Sequence, residues 1–154
     1  MAREGRWDFL EGVKAMGAAE AIAGELSKLL AEELARWPLD MEWADAAQAA
    51  RFAPLEAPGA PRPSNEALRQ GFMLARLELL REEDALDYAL RNHTLERALP
   101  DAADRLAAEL VWRWMTETLY ELSERTEGRV KRRHLVSCLE QTWRRVLNEP
   151  PPAS

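Results

Sequence analysis

The sequence is poor in the residues that build disulfide-stapled or membrane-spanning proteins. Its 154 residues include a single cysteine, Cys138, so an internal disulfide is excluded. No run of about 18 apolar residues occurs, and residues 1–10 lack the apolar stretch of a signal peptide. Together with an excess of alanine, and of arginine over lysine, these absences predict a cytoplasmic protein of bacterial origin.

The sequence also lacks a catalytic, phosphate-binding or complete metal-binding motif. His134 and Cys138 are four residues apart and share a helix face, but two ligands do not make a zinc site. The sequence therefore predicts no cofactor and no metal, and it favours a protein that is not an enzyme.

A cluster of acids leaves one enzymatic alternative open. Its members are Glu78, Glu82, Glu83, Asp84 and Asp87, with a second set at Glu117, Glu121 and Glu124. All-α nucleotide pyrophosphohydrolases hold Mg²⁺ between paired acidic helices, since hard cations prefer oxygen ligands. The spacing here does not match their motif across both helices, so a solvated acidic face is the favoured interpretation.

What is present is helical periodicity interrupted by proline. Apolar residues recur every three to four positions over residues 7–37, which predicts an amphipathic helix with a break near Gly17. Asp40 is predicted to cap a short helix over 41–50. Four prolines and a glycine in 51–63 exclude a regular element there and predict a linker.

The second half of the chain reads as a helical core. Ser64 is predicted to cap a helix over 65–92, with a kink or a new start at the acidic residues 82–84. The sequence as a whole therefore predicts an all-α fold of five or six helices. The predicted organisation is an N-terminal helical segment over 1–50, the linker over 51–63, a core over 64–148 and a disordered tail over 149–154.

One long helix dominates this core. Asp101 is predicted to cap a helix over 101–127, Gly128 to end it at C′ with a positive φ, and a last helix to follow over 134–148. Trp112 and Trp114 point about 200° apart on a helix, so a single core is not expected to cover both. Both are therefore candidate interaction residues, since Trp is enriched at interface hot spots.

From Glu83 onward the order of helix, connector, long helix, short connector and last helix resembles the histone fold. The residues that carry the resemblance are Leu106, Leu110, Leu122, Gly128, Val130 and Leu135. The ending is also similar to the small C-terminal helical domain of dark-operative protochlorophyllide reductase. The histone-fold resemblance implies a handshake homodimer. His134 stands where histone-like proteins usually have an acidic cap.

Charge is unevenly distributed along a chain whose net charge is −6. Seven acids and three arginines give residues 101–128 a charge of −4, whereas six bases and two acids give 129–154 a charge of +4. A basic run consists of Arg129, Lys131, Arg132 and Arg133. It is a candidate contact for an acidic protein surface, including the 101–127 helix of a partner chain, or for nucleic acid, although global acidity disfavours the latter.

These observations favour a non-catalytic interaction or assembly module that acts as a homodimer. The first alternative is a nucleic-acid-associated protein that uses the basic run. The second is the Mg²⁺-dependent pyrophosphohydrolase.

Overall fold

The protein is all-α. The computed structural model describes residues 5–12, 18–39, 41–80 and 93–152, and no strand occurs among them. Their helices are α1 (Ala19–Ala35), α2 (Ala46–Phe52), a 3₁₀ turn (Ala53–Leu55), α3 (Asn65–Leu79), α4 (Thr94–Ala98), α5 (Ala102–Arg125) and α6 (Arg132–Leu147). The predicted fold class and the long helix with its following connector and last helix are confirmed.

The chain forms two compact units. The terminal unit comprises Met1–Glu42 and Leu119–Ser154, and the central unit comprises Trp43–Thr118. The last turns of α5 therefore belong to the terminal unit, and its earlier turns belong to the central unit.

In the terminal unit α1 packs along α6. The facing side chains are buried, among them Ile22, Leu26 and Leu30 of α1 and Leu139 and Trp143 of α6. Polar contacts add to this apolar seam, because Arg145 Nε donates to Ser27 Oγ at 3.2 Å. Burial of such side chains contributes roughly 1.5–3 kcal/mol each, so this helix pair is the core of the unit.

In the central unit α3 crosses α5 at a glycine. A Cβ atom added at Gly71 would lie 2.8 Å from the Ala108 carbonyl oxygen and 2.8 Å from Val111 Cβ. Only glycine permits this approach of the two backbones. Ser64 caps α3 as predicted, since its Oγ accepts from the Ala67 N–H at 3.1 Å.

Three predicted helix starts need correction. The helix predicted over 7–37 begins at Ala19, since residues 7–9 form a turn and Ala18 is extended. The second helix begins at Ala46 instead of Met41, because Asp45 and Gln48 form a reciprocal capping box: Asp45 Oδ1 accepts from Gln48 N–H at 2.8 Å. The last helix begins at Arg132 instead of His134, because the ring of His134 accepts from the backbone of Lys131 and so fixes the first turn there.

The proline segment is also more regular than predicted. Residues 51–52 are the end of α2, and Ala53–Leu55 form a 3₁₀ turn with its proline at the start. Proline is tolerated there because the first amides of a helix have no internal partner. The predicted break at Gly17, the cap at Asp40 and the kink at 82–84 lie outside the described residues.

Candidate interaction surface

The two tryptophans that suggested an interface are both buried within the chain. Trp112 and Trp114 are at most 3% exposed. Trp112 Nε1 donates to Glu78 Oε1 at 3.0 Å, and the Arg113 guanidinium lies 4.2 Å from the centre of the Trp112 ring. The expectation that one core leaves one of them uncovered is therefore wrong, and neither indole offers area to a partner.

The basic run, in contrast, lies on the surface. Arg129, Lys131, Arg132 and Arg133 are all exposed, and we call these four residues the basic surface. Val130, between them, is buried. The basic surface is thus attached to the core of the terminal unit by the side chain at its centre.

A tight turn positions the basic surface after α5. The Gly128 N–H donates to the Ser123 carbonyl at 2.9 Å, and the Glu127 N–H donates to the Glu124 carbonyl at 3.0 Å. This is the paired hydrogen bonding of a Schellman motif, with Glu127 at C′ (φ 52°) and Gly128 one position later (φ 78°). The positive φ of Gly128 is confirmed, but the C′ position falls on a non-glycine residue.

A threonine holds the other side of this turn. Thr126 Oγ1 donates to the Leu122 carbonyl at 2.9 Å and accepts from the Val130 N–H at 3.4 Å. Thr126 is buried, so these hydrogen bonds are shielded from water. The connector that carries the basic surface is therefore fixed at both ends.

His134 completes the first turn of α6. Its Nδ1 accepts from the Lys131 N–H at 3.0 Å, and its Nε2 lies 3.5 Å from Glu20 Oε1. The pKa of Glu20 lies below its ordinary value, first because of a hydrogen bond from its own backbone amide and then because of the charge of His134, with a smaller contribution from Arg133. His134 thus serves as a capping residue in the position that Glu or Gln usually occupies.

His134 and Cys138, the two possible metal ligands, both have structural roles in the folded chain. Cys138 is fully buried, and burial raises the pKa of its thiol to about 12, so it is a neutral thiol at physiological pH. His134 Nδ1 is occupied by the Lys131 amide. No group of three or more potential metal ligands occurs in the described ranges.

The dipole of α6 opposes the charges of the basic surface. Lys131 is the N-cap of α6, Arg132 and Arg133 begin it, and its first turn holds no acid. The N-terminus of a helix carries partial positive charge, so cations there destabilise it. Among the described residues no carboxylate lies at ion-pair distance from any of the four side chains.

The acidic cluster is only partly described. Glu78 accepts from Trp112, whereas Glu82, Glu83, Asp84 and Asp87 lie outside the described residues. In the second set, Glu121 pairs with Arg125 at 2.8 Å, and Glu117 and Glu124 are exposed. The Mg²⁺ hypothesis therefore gains no support from the described residues.

The central unit contains an open apolar pocket of about 290 Å³ between the proline segment and the start of α5. Its walls include Pro54, Leu55, Pro61, Pro63 and Leu106, with Arg62 and Asp104 as the charged members. These two charges are opposite in sign, so the pocket favours neither anions nor cations.

Comparison with known proteins finds no matching family model, no matching curated protein and no matching solved structure. Of the helices in the described ranges, none combines the length and hydrophobicity that crossing a membrane requires. The similarity of the C-terminal half to the histone fold remains a prediction.

Proposed function

We propose that this protein is a non-catalytic protein-interaction module of the bacterial cytoplasm, and that it binds an acidic protein surface through Arg129, Lys131, Arg132 and Arg133. The observation that carries the proposal is the position of these cations. They lie at the end of α6 where the helix dipole opposes them, exposed, with no acid in the first turn of the helix.

The cations destabilise the N-terminus of α6, and an anionic group that binds there relieves this destabilisation. A carboxylate near the start of α6 interacts favourably both with the helix dipole and with the arginine side chains. The fixed turn before α6 supports binding as well, because less conformational freedom is lost when the surface is already held by Val130 and Thr126.

An acidic protein surface fits this site better than nucleic acid. The whole chain carries a net charge of −6, which repels a phosphate backbone over a long range. Aromatic side chains for base stacking are also missing from the four positions, and the nearby Trp143 is buried. A protein partner needs only a local acidic patch.

Binding of labelled polyglutamate, a 20-base-pair DNA and a single-stranded RNA, followed by fluorescence anisotropy at 50 and 300 mM salt, tests the proposal. We expect polyglutamate to bind in 50 mM salt and R132E/R133E to abolish this binding. The control R97E/R144E changes net charge equally at two other exposed arginines and should retain binding.

Two results would contradict the proposal. If the nucleic acids bind more tightly than polyglutamate, the surface is a nucleic-acid site. If the two double variants lose polyglutamate binding equally, the interaction reports net charge and the basic surface has no special role.

A further inference from the structure

The end of α5 carries a second charged surface, opposite in sign to the basic surface. Tyr120, Glu124 and Glu127 are exposed, and we call them the acidic surface. Tyr120 is 42% exposed, and it is one of the two large hydrophobic residues that are exposed in the described part of the chain. Glu121 is not included because it pairs with Arg125.

The acidic surface is also placed where the helix dipole opposes it. Glu124 lies in the last turn of α5 and Glu127 follows it at C′, and the C-terminus of a helix carries partial negative charge. The acids therefore stand at the negative end of one helix, and the bases stand at the positive end of the next. The dipole of its own helix opposes each placement.

The two surfaces are neighbours in sequence but do not neutralise each other. No ion pair joins Glu124 or Glu127 to any of the four basic residues, as far as the described residues show. The Schellman turn and the hydrogen bonds of Thr126 fix the backbone between them. Both surfaces therefore remain available to an external partner.

We propose that the acidic partner is a second copy of this chain, with the basic surface of each copy against the acidic surface of the other. This inference rests on the proposed function of the basic surface. A two-fold axis satisfies both contacts at once, because each copy carries one surface of each sign, and the assembly closes as a dimer.

Charge reversal on each surface tests the arrangement by sedimentation velocity between 1 and 200 µM protein in 0.1 M salt. The parent chain should dimerise. R132E/R133E and E124K/E127K should each weaken dimerisation by about tenfold or more, because the first removes the net positive charge of the basic surface and the second brings like charges together at both contacts. R97E/R144E, which leaves both surfaces intact, should dimerise like the parent.

Mixing the two reversed variants gives the sharpest result. R132E/R133E keeps its acidic surface while its basic surface has no net charge, and E124K/E127K carries two basic surfaces. A 1:1 mixture should therefore form a heterodimer through the acidic surface of the first variant and the intact basic surface of the second, although neither variant dimerises alone. Both reversals put charges of the favourable sign at their helix ends, so loss of folding is not the expected cause of lost dimerisation. Circular dichroism checks that both variants are helical.

Three outcomes overturn the inference: a parent chain that is monomeric at 200 µM, a dimer that neither reversal weakens, or a mixture that stays monomeric. If the parent is monomeric but binds polyglutamate through the basic surface, the proposed function stands and only the second copy as partner is rejected. If neither interaction occurs, both proposals are rejected.

Discussion

Arg6 and Glu33 form a two-pronged ion pair in the terminal unit. Arg6 Nε lies 2.7 Å from Glu33 Oε2, and Arg6 Nη2 lies 2.6 Å from Glu33 Oε1. The arginine side chain is 2% exposed and the glutamate side chain is 16% exposed. The pair attaches the N-terminal residues to α1.

Glu33→Gln should destabilise the protein by about 3 kcal/mol, because it removes the negative charge that pairs with the buried Arg6 guanidinium. Urea denaturation measures the loss. The control is Glu32→Gln in the exposed Arg36–Glu32 pair, which should cost less than about 1 kcal/mol. Equal losses in the two variants would show that burial does not set the strength of the Arg6 pair.

Gly71→Ala should destabilise the protein by about 1–3 kcal/mol. The added methyl group meets the Ala108 carbonyl, which is backbone, so the helices have to move apart. Gly24→Ala is the matched control, since the nearest atom to its new Cβ is the end of the Gln141 side chain at 3.7 Å. That variant should gain about 0.5–1 kcal/mol from helix propensity. If thermal denaturation shows a higher melting temperature for both variants, the close α3–α5 crossing is contradicted.

Cys138 should make stability fall in alkaline solution. Burial raises the pKa of its thiol from 9.0 to about 12, so above pH 9 the unfolded chain loses this proton while the folded chain keeps it. The folded state then binds more protons, and the free energy of unfolding falls with a limiting slope of about 1.4 kcal/mol per pH unit. Cys138→Ala should remove this contribution, which urea denaturation from pH 8 to 10.5 measures as a difference between the two proteins.

The same burial predicts that the native thiol is unreactive. A thiol reagent at pH 8 should modify Cys138 only after denaturant is added, because the thiolate is the attacking form. Rapid modification of the native protein would show that the α1–α6 seam opens on the timescale of the assay.

R132E/R133E should stabilise the folded protein by about 0.5–1 kcal/mol while it loses binding. The two glutamates would lie at the positive end of α6. Arg144→Glu, at the opposite end of the same helix, should have the reverse effect and lower stability by about 0.3–1 kcal/mol. Melting temperatures of the three proteins at low salt measure both changes, and a fall in both variants would contradict the dipole argument.

The sequence predicts local features of this fold well. Asp101 does cap the long helix, since its Oδ1 accepts from the Ala103 N–H at 2.7 Å, and Gly128 does adopt a positive φ. Ser64 caps α3 as expected. Each of these features depends on side chains within a few residues of one another, so the pattern of residue types is sufficient to find it.

Features that depend on distant partners were not predictable in the same way. The burial of Trp112 relies on Glu78 and Arg113 and on packing that a helical wheel does not contain. From the sequence alone, Gly71 is only a residue of low helix propensity. The structure shows that its lack of a side chain makes room for Val111. In the candidate site, the basic run was visible in the sequence, whereas its conflict with the helix dipole depended on α6 beginning at Arg132.

The pairing of α1 with α6 has a consequence for synthesis on the ribosome. Ser27 and Arg145 are 118 residues apart along the chain, yet they are in contact in the folded protein. During synthesis, the apolar side chains of α1 remain exposed until α6, which packs against them, has emerged from the ribosome. Chaperones that recognise exposed aliphatic segments would therefore meet Ile22–Leu34 first, and the rate of translation would determine how long that segment stays open to misassembly.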